Sequence, residues 1–253
     1  MKITRRDNRQ TIFDSAGLTF IYSDVYIEIG TKLPSDNIYG YGERNYKFKL
    51  GPGKYTIWGR DEPKVKEDGR GGANVYGHHP VGLVRDDAGS FFIMVMKNSN
   101  AMDVEITNSR ELKYHMTGGV IDLIFFKGDE YPDTVIKEYH EFIGDYVMMP
   151  FWSMGHHQSR WGYKTINHHK NVLAKYEEHD IPLDVIWSDI DYMREKEDFT
   201  IDQNNFPVSE MRQMLQDYRK HWVPIIDAGV KSQNTRGIGY KEGIKRGIFV
   251  RNH

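Results

Sequence analysis

Over residues 1–130 the chain carries short apolar or alternating runs separated by Gly, Asn, Asp and Pro. Leu18 to Tyr22, Val25 to Ile29, Tyr55 to Trp58, Val81 to Val84, Phe91 to Met96, Met102 to Ile106 and Val120 to Phe126 each read as a strand. Frequent turn signals between them and the lack of any helical period predict a β-sandwich for this part of the chain. The polar, glycine-rich stretch from Lys64 to Gly72 predicts an exposed loop, with a linker as the alternative.

After Lys127 the period lengthens from two to nearly four. Pro132-Asp133 opens a helix whose Val135, Ile136, Tyr139, Phe142 and Ile143 share one face, and Gly144 is placed to stop it. This predicts a connecting helix within residues 131–148. From Met149 onward strands and helices alternate. Phe151 to His156 predicts a buried strand, Asn171 to Glu178 a helix with Val172, Leu173 and Tyr176, and Asp184 to Trp187 a second strand. Met211, Met214, Leu215 and Tyr218 at i, i+3, i+4 and i+7 predict a further helix, and Val223 to Ile226 a third strand. Such alternation is the mark of βα units on a parallel sheet over residues 149–253. A complete (β/α)8 barrel takes about 250 residues, so the roughly one hundred here hold about three units. The sheet is either a small open one or a TIM barrel that is incomplete in this chain.

Composition narrows the class. Aromatic residues at 13% and charged residues at 28% of 253 fit a folded chain with a sizeable core rather than a disordered one. A formal charge of −2 gives bulk electrostatics no hold on nucleic acid or an anionic membrane surface. Cysteine is absent, which excludes disulfides and thiolate metal sites within the stretch. No run approaches the roughly 18 apolar residues of a membrane span. The opening Met1-Lys2-Ile3-Thr4-Arg5-Arg6-Asp7 lacks a signal-peptide core, and no Asn-x-Ser/Thr acceptor occurs, so the compartment stays unknown.

In parallel α/β sheets chemistry gathers at the C-terminal ends of the strands. The first predicted strand exits into His156-His157-Gln158-Ser159-Arg160-Trp161-Gly162-Tyr163, the second into Ser188-Asp189-Ile190-Asp191-Tyr192-Met193, and the third into Asp227. Carboxylates accept hydrogen bonds from vicinal hydroxyls and indole or phenol rings cover the apolar faces of pyranoses, so this mixture suits a sugar. Plainer roles compete: Asp189 or Asp191 as a cap for the next segment, and Trp152, Trp161 or Trp187 as core filling. The pairs His78-His79, His156-His157 and His168-His169 look like metal ligands only superficially, since neighbours on a strand point to opposite faces. No metal or cofactor is expected. Gly40-Tyr41-Gly42-Glu43 lacks the third glycine of a dinucleotide loop, and no Gly-x-Ser-x-Gly elbow occurs.

Taken in order, the motifs resemble glycoside hydrolase family 31, the α-glucosidase family. The matching segments are Ile38 to Glu43, Tyr55 to Asp61, Asn74 to Pro80, Asn98 to Val104, His157 to Tyr163, Ile181 to Met193 and Asp198 to Thr200. The resemblance implies a galactose mutarotase-like N-terminal sandwich followed by the opening of a catalytic (β/α)8 barrel. It implies that Asp61 reaches from a sandwich loop toward the sugar pocket and that Trp161 forms an aromatic wall. It also implies that Asp189 binds hydroxyls of the non-reducing glucose with Ile190 lining the pocket beside it, and that Ile225 and Asp227 are pocket positions.

Two local departures stand out. The Asp-Pro-Ala-Ile frequent in the family is Asp227-Ala228-Gly229-Val230 here, and Ser159 stands where many relatives have Cys. The family's Asp nucleophile, in a Trp-x-Asp-Met-Asn-Glu type motif after the fourth strand, and its acid/base Asp are expected beyond His253. Hence no catalytic carboxylate is expected among these residues, and the expected partners are glucose or an α-glucoside oligosaccharide and the missing C-terminal half of the barrel. The activity implied is that of a retaining α-glucosidase acting on terminal α-linked glucose, with a non-catalytic carbohydrate-binding protein of the same descent as the alternative.

Overall fold

A computed structural model describes residues 1–59, 74–233, 235 and 237–250. The chain divides into two compact units, Met1–Tyr146 and Val147–His253, each taken here by itself. The loop anticipated from Lys64 to Gly72, and Asp61 with it, lies outside the described residues.

The first unit holds eleven strands among its described residues: β1 (Lys2–Thr4), β2 (Thr11–Asp14), β3 (Ile21–Tyr22), β4 (Ile27–Lys32), β5 (Asn37–Arg44), β6 (Gly53–Ile57), β7 (Asn74–Arg85), β8 (Phe91–Met96), β9 (Met102–Ile106), β10 (Glu111–Met116) and β11 (Leu123–Phe126). Apart from the β1-β2 pair, they form a five-stranded sheet in the order β3-β4-β10-β9-β6 and a four-stranded sheet in the order β11-β8-β7-β5. Both sheets are antiparallel throughout. Ile27, Tyr55, Val104 and Leu112 from the first pack with Ile38, Val84, Phe92 and Met94 from the second in one core, which makes the pair a sandwich. Inside it the hydroxyls of Tyr41 and Tyr114 meet at 2.6 Å, so two phenols buried from opposite sheets satisfy one another.

Strand β10 shows how patterning selects a face: Leu112, Tyr114 and Met116 are buried, while Glu111, Lys113 and His115 alternate outward. Strand β8 has no such alternation because both of its faces are covered. Phe92, Met94 and Met96 enter the sandwich core, while Ile93 and Val95 join Val81, Phe126 and Val135 on the other side. Val135 belongs to helix α1 (Pro132–Ile143), which begins with proline in its first turn and ends at Gly144, φ 92°.

The second unit is a three-stranded parallel sheet in the order β12-β13-β14, formed by β12 (His157–Gln158), β13 (Val185–Ser188) and β14 (His221–Pro224). Helix α2 (Ile166–Glu178) crosses from β12 to β13, and α3 (Val208–Asp217) from β13 to β14. Helix α4 (Gly239–Arg246) follows β14. The described sheet does not close into a barrel. Ile166, Leu173, Ile186, Phe206, Met211 and Met214 form the core between sheet and helices.

The strand anticipated from Phe151 to His156 is absent. Pro150, with φ −57°, leads into a 3-10 turn over Phe151–Met154, and Ser153 closes it by donating its hydroxyl to the Pro150 carbonyl at 2.7 Å. Phe151 and Met154 are exposed, so their apolar character reflects no buried strand. Pairing begins only at His157, where the parallel ladder to Val185 starts. The third strand runs from His221 to Pro224, two residues earlier than its apolar run indicates, and Ile226 is left exposed beyond it. Helix α2 starts at Ile166, five residues ahead of the anticipated Asn171, because a polar-looking first turn carries the buried Ile166 and His169.

Candidate functional site

The parallel register sets His157 and Gln158 beside Val185 and Ile186, and Ser188 beside Pro224. All three strands therefore discharge their following residues at one end of the sheet. The exit of β12 is anchored by Gln158, whose amide nitrogen donates to the Tyr163 hydroxyl at 2.8 Å and whose amide oxygen accepts from the Tyr176 hydroxyl at 2.6 Å. Trp187 Nε1 donates to His157 Nδ1 at 2.9 Å, and His157 Nε2 lies 3.0 Å from the Ser153 carbonyl. Accepting at Nδ1 leaves Nε2 to carry the proton, which fixes the His157 tautomer.

Under this mouth sits His169, fully buried on α2. Its Nε2 is 2.9 Å from the Ser188 hydroxyl and 3.0 Å from the Trp187 carbonyl, while Nδ1 faces the Thr165 carbonyl at 3.3 Å. Trp222 Nε1 donates to the same Ser188 hydroxyl at 2.9 Å, so one side-chain network joins α2, β13 and β14. Burial lowers the His169 pKa, against the opposing pull of its hydrogen bonds to the Thr165 and Trp187 carbonyls.

The strand exits are stitched to each other. Gly162, after β12, donates its N–H to Asp191 Oδ2 at 2.8 Å. Tyr192 donates its hydroxyl to the Ile225 carbonyl at 2.8 Å, and Asp227 donates its N–H to Asp198 Oδ1 at 3.0 Å. The Tyr192 pKa is raised by burial first and then by the negative charges of Asp198 and Asp227.

Of the residues expected to touch a sugar, Asp189 caps the 3-10 turn Ile190–Tyr192, its Oδ1 accepting the Ile190 N–H at 2.7 Å. The capping role is therefore real, yet it occupies one oxygen of a half-buried carboxylate. Among the described residues no other group donates to the Asp189 carboxylate, which leaves it lone pairs to spare. Ile190 and Ile225 are partly buried against the core of the unit. Trp161 projects with 69% of its surface exposed, so it is not core filling here, whereas Trp187 and Trp222 are tied in by their indole N–H groups. Asp227 is exposed after β14. Trp161, Asp189, Ile190, Ile225 and Asp227 thus share the mouth of one sheet.

Sequence reasoning passed over His169, Asp198 and Glu197 as individuals. His169 was findable: with Ile166 and Leu173 it keeps the i, i+3, i+7 spacing of the buried face of α2. Among the described residues no three His, Asp or Glu side chains converge as metal ligands, and no helix is long and apolar enough to cross a membrane.

Comparison with known proteins supplies the context. Residues 146–253 match the model of the glycosyl hydrolases family 31 TIM-barrel domain. The chain is 37% identical over 257 aligned residues to a lysosomal acid α-glucosidase of Tetrahymena pyriformis, covering 100% of this chain and 28% of that protein. Against the lysosomal α-glucosidase of Mus musculus it is 33% identical, covering 99% of the chain and 26% of the relative. Among solved structures, a family 31 dextranase of Flavobacterium johnsoniae complexed with isomaltotriose shares the fold with a TM-score of 0.82 at 20% identity, over 97% of this chain and 30% of that one. A glucosidase II α subunit bound to a diglucoside matches with a TM-score of 0.73 at 23% identity, over 88% and 26%. The chain thus spans little more than a quarter of the length of its curated relatives.

Proposed function

From the premise that residues 146–253 are family 31 glycoside hydrolase sequence, within a chain aligned end to end with α-glucosidases, we propose that this chain is the sugar-holding part of a retaining α-glucosidase. The observation that carries the reading is the convergence of Asp189, Asp227 and the exposed Trp161 at the C-terminal mouth of one parallel sheet. We take that sheet and its helices as the opening three βα units of a (β/α)8 barrel, and residues 1–130 as the sandwich domain that precedes it.

In this reading Asp189 accepts hydroxyls of the terminal glucose with the oxygen its cap leaves open. Asp227 binds further hydroxyls, Trp161 covers an apolar ring face, and Ile190 and Ile225 give the pocket its dry walls. A carboxylate that holds two hydroxyls orients the ring, and its hydrogen bonds strengthen as the ring flattens toward an oxocarbenium-like state. Retention of configuration requires a nucleophile and an acid/base about 5 to 5.5 Å apart. We assign neither role to Asp189, Asp191 or Asp227. Asp189 is spent on a cap and a ligand, Asp191 on the Gly162 N–H, and the chain represents only 28% of its Tetrahymena relative.

The test is hydrolysis of maltose by the full-length protein, with the first-formed anomer of glucose followed by NMR. The α-anomer is expected to appear first. A first-formed β-anomer would contradict retention, and no glucose at all would contradict the glucosidase reading.

A further inference from the structure

The four residues Glu195 to Asp198, on the loop after β13, grip the segment after β14 at three places. Asp198 Oδ1 accepts the Asp227 N–H at 3.0 Å. Glu195 accepts from Lys231 Nζ at 3.2 Å through both its carbonyl and its carboxylate. Glu197 Oε1 accepts the Gly237 N–H at 2.7 Å, and its other oxygen pairs with Arg194 at 3.1 Å.

Glu197 and Asp198 are each only 6% exposed. Two adjacent carboxylates are rarely buried, because each must leave water, and burial is tolerated when each is met by donors. Here a backbone N–H from the same neighbouring segment meets each one. The loop is bent to allow this: Glu195, Lys196 and Phe199 all adopt left-handed conformations, with φ of 50°, 58° and 61°. Three non-glycine residues in that region within five positions are costly and persist only where surrounding contacts over-determine them. Thr200 supplies such contacts, accepting the Arg194 N–H at 3.0 Å and donating to the Glu197 carbonyl at 2.5 Å.

We propose that residues 195–198 form a clasp that positions Asp227 for its sugar hydroxyls, with Asp198 as the positioning residue. The inference rests on the reading above that Asp227 touches the sugar. Asp198 itself makes no contact with the ligand. It acts by holding the Asp227 backbone in register with Ile225, whose carbonyl the Tyr192 hydroxyl holds at 2.8 Å. The acceptor oxygen, rather than the charge, is the working part of Asp198.

The experiment measures KM for p-nitrophenyl α-glucoside, the inhibition constant of D-glucose and the melting temperature in the full-length protein carrying Asp198→Ala, Asp198→Asn, Gly237→Ala or Asp227→Ala. Asp198→Ala is expected to weaken glucose roughly tenfold, the scale of one lost hydrogen bond to a charged acceptor. Asp198→Asn, which keeps an acceptor oxygen, is expected to stay within about threefold of the parent on the same scale. Gly237→Ala puts a Cβ 2.8 Å from Glu197 Oε1, and is expected to weaken glucose without touching Asp198. The clasp is overturned if Asp198→Ala lowers the melting temperature and leaves glucose binding intact, or if Asp198→Asn is as damaging as Asp198→Ala. If Asp198→Ala does not fold, unchanged glucose binding in Gly237→Ala overturns it. Asp227→Ala separates the two levels of the argument: no effect there sinks the assignment of Asp227, whereas an effect there with none in the clasp variants sinks only the clasp.

Discussion

In the proposed reading Asp189 serves as both cap and sugar ligand, and a single substitution can part the two roles. Asp189→Asn keeps an oxygen for the Ile190 N–H, whereas Asp189→Ala loses cap and ligand together. In the full-length protein Asp189→Asn is expected to cost about 1–1.5 kcal/mol in glucose binding, roughly five- to tenfold, because hydrogen bonds to a charged acceptor become neutral ones. Its melting temperature is expected to stay near that of the parent while that of Asp189→Ala falls. Calorimetric binding and thermal melts check both, and equal melting temperatures in the two variants would mean that the cap carries no stability. His169 gives a pH prediction. Its folded pKa lies below the ordinary 6.5, so the unfolded chain takes up the proton first on acidification. Its neutral form contributes stability that is complete above 6.5 and is lost as pH falls through the folded value. Urea midpoints between pH 7.5 and 5 are expected to fall on the acid side, less steeply in His169→Gln. A slope unchanged by that substitution would exclude His169 as a source. The residues proposed to hold the sugar could be named from the sequence, since they follow immediately after predicted strands. How they are held was not, because Asp198 meets Asp227 and Ser188 meets His169 only through the folded chain.

At the scale of elements, periodicity was readable wherever one face was buried and the residues were unambiguously apolar. Strands β8 and β9 match their sequence runs at both ends. Strand β10 alternates as cleanly, but Glu111, Lys113 and His115 give it a polar look, and β5 hides behind its glycines. The run from Phe151 misled for the opposite reason, since hydrophobic character there fills an exposed turn after Pro150. The start of β12 is governed instead by Gly155 and Asp184. A Cβ on Gly155 would fall inside the van der Waals envelope of the Asp184 carboxylate, whose Oδ2 accepts the His156 N–H at 2.9 Å. Gly155→Ala is therefore expected to destabilise the second unit by about 1–3 kcal/mol, the usual penalty for overpacking. Chemical denaturation followed by tryptophan fluorescence checks this, because all but one of the five tryptophans lie in that unit. A midpoint equal to the parent's would show that Asp184 is free to move aside.

At the scale of the whole molecule, the proposed reading gives sugar binding to these residues and the reacting carboxylates to further sequence of the protein. The order of elements, sandwich strands first and βα units after, was legible because period-two and period-four patterns occupy separate stretches of sequence. Among the described residues the parallel sheet is open and three-stranded, in keeping with the roughly three βα units read from the sequence. An open parallel sheet leaves an edge strand and half-covered faces. Exposed Ile226, Ile244, Ile248 and Val250 after β14 are the apolar surface such a sheet would bury against further units. The most direct test of this division sets the 253-residue chain beside the full-length protein in hydrolysis of p-nitrophenyl α-glucoside. Activity in the full-length protein alone is the predicted result, and turnover by the 253-residue chain would place the catalytic carboxylates among residues assigned here only to binding.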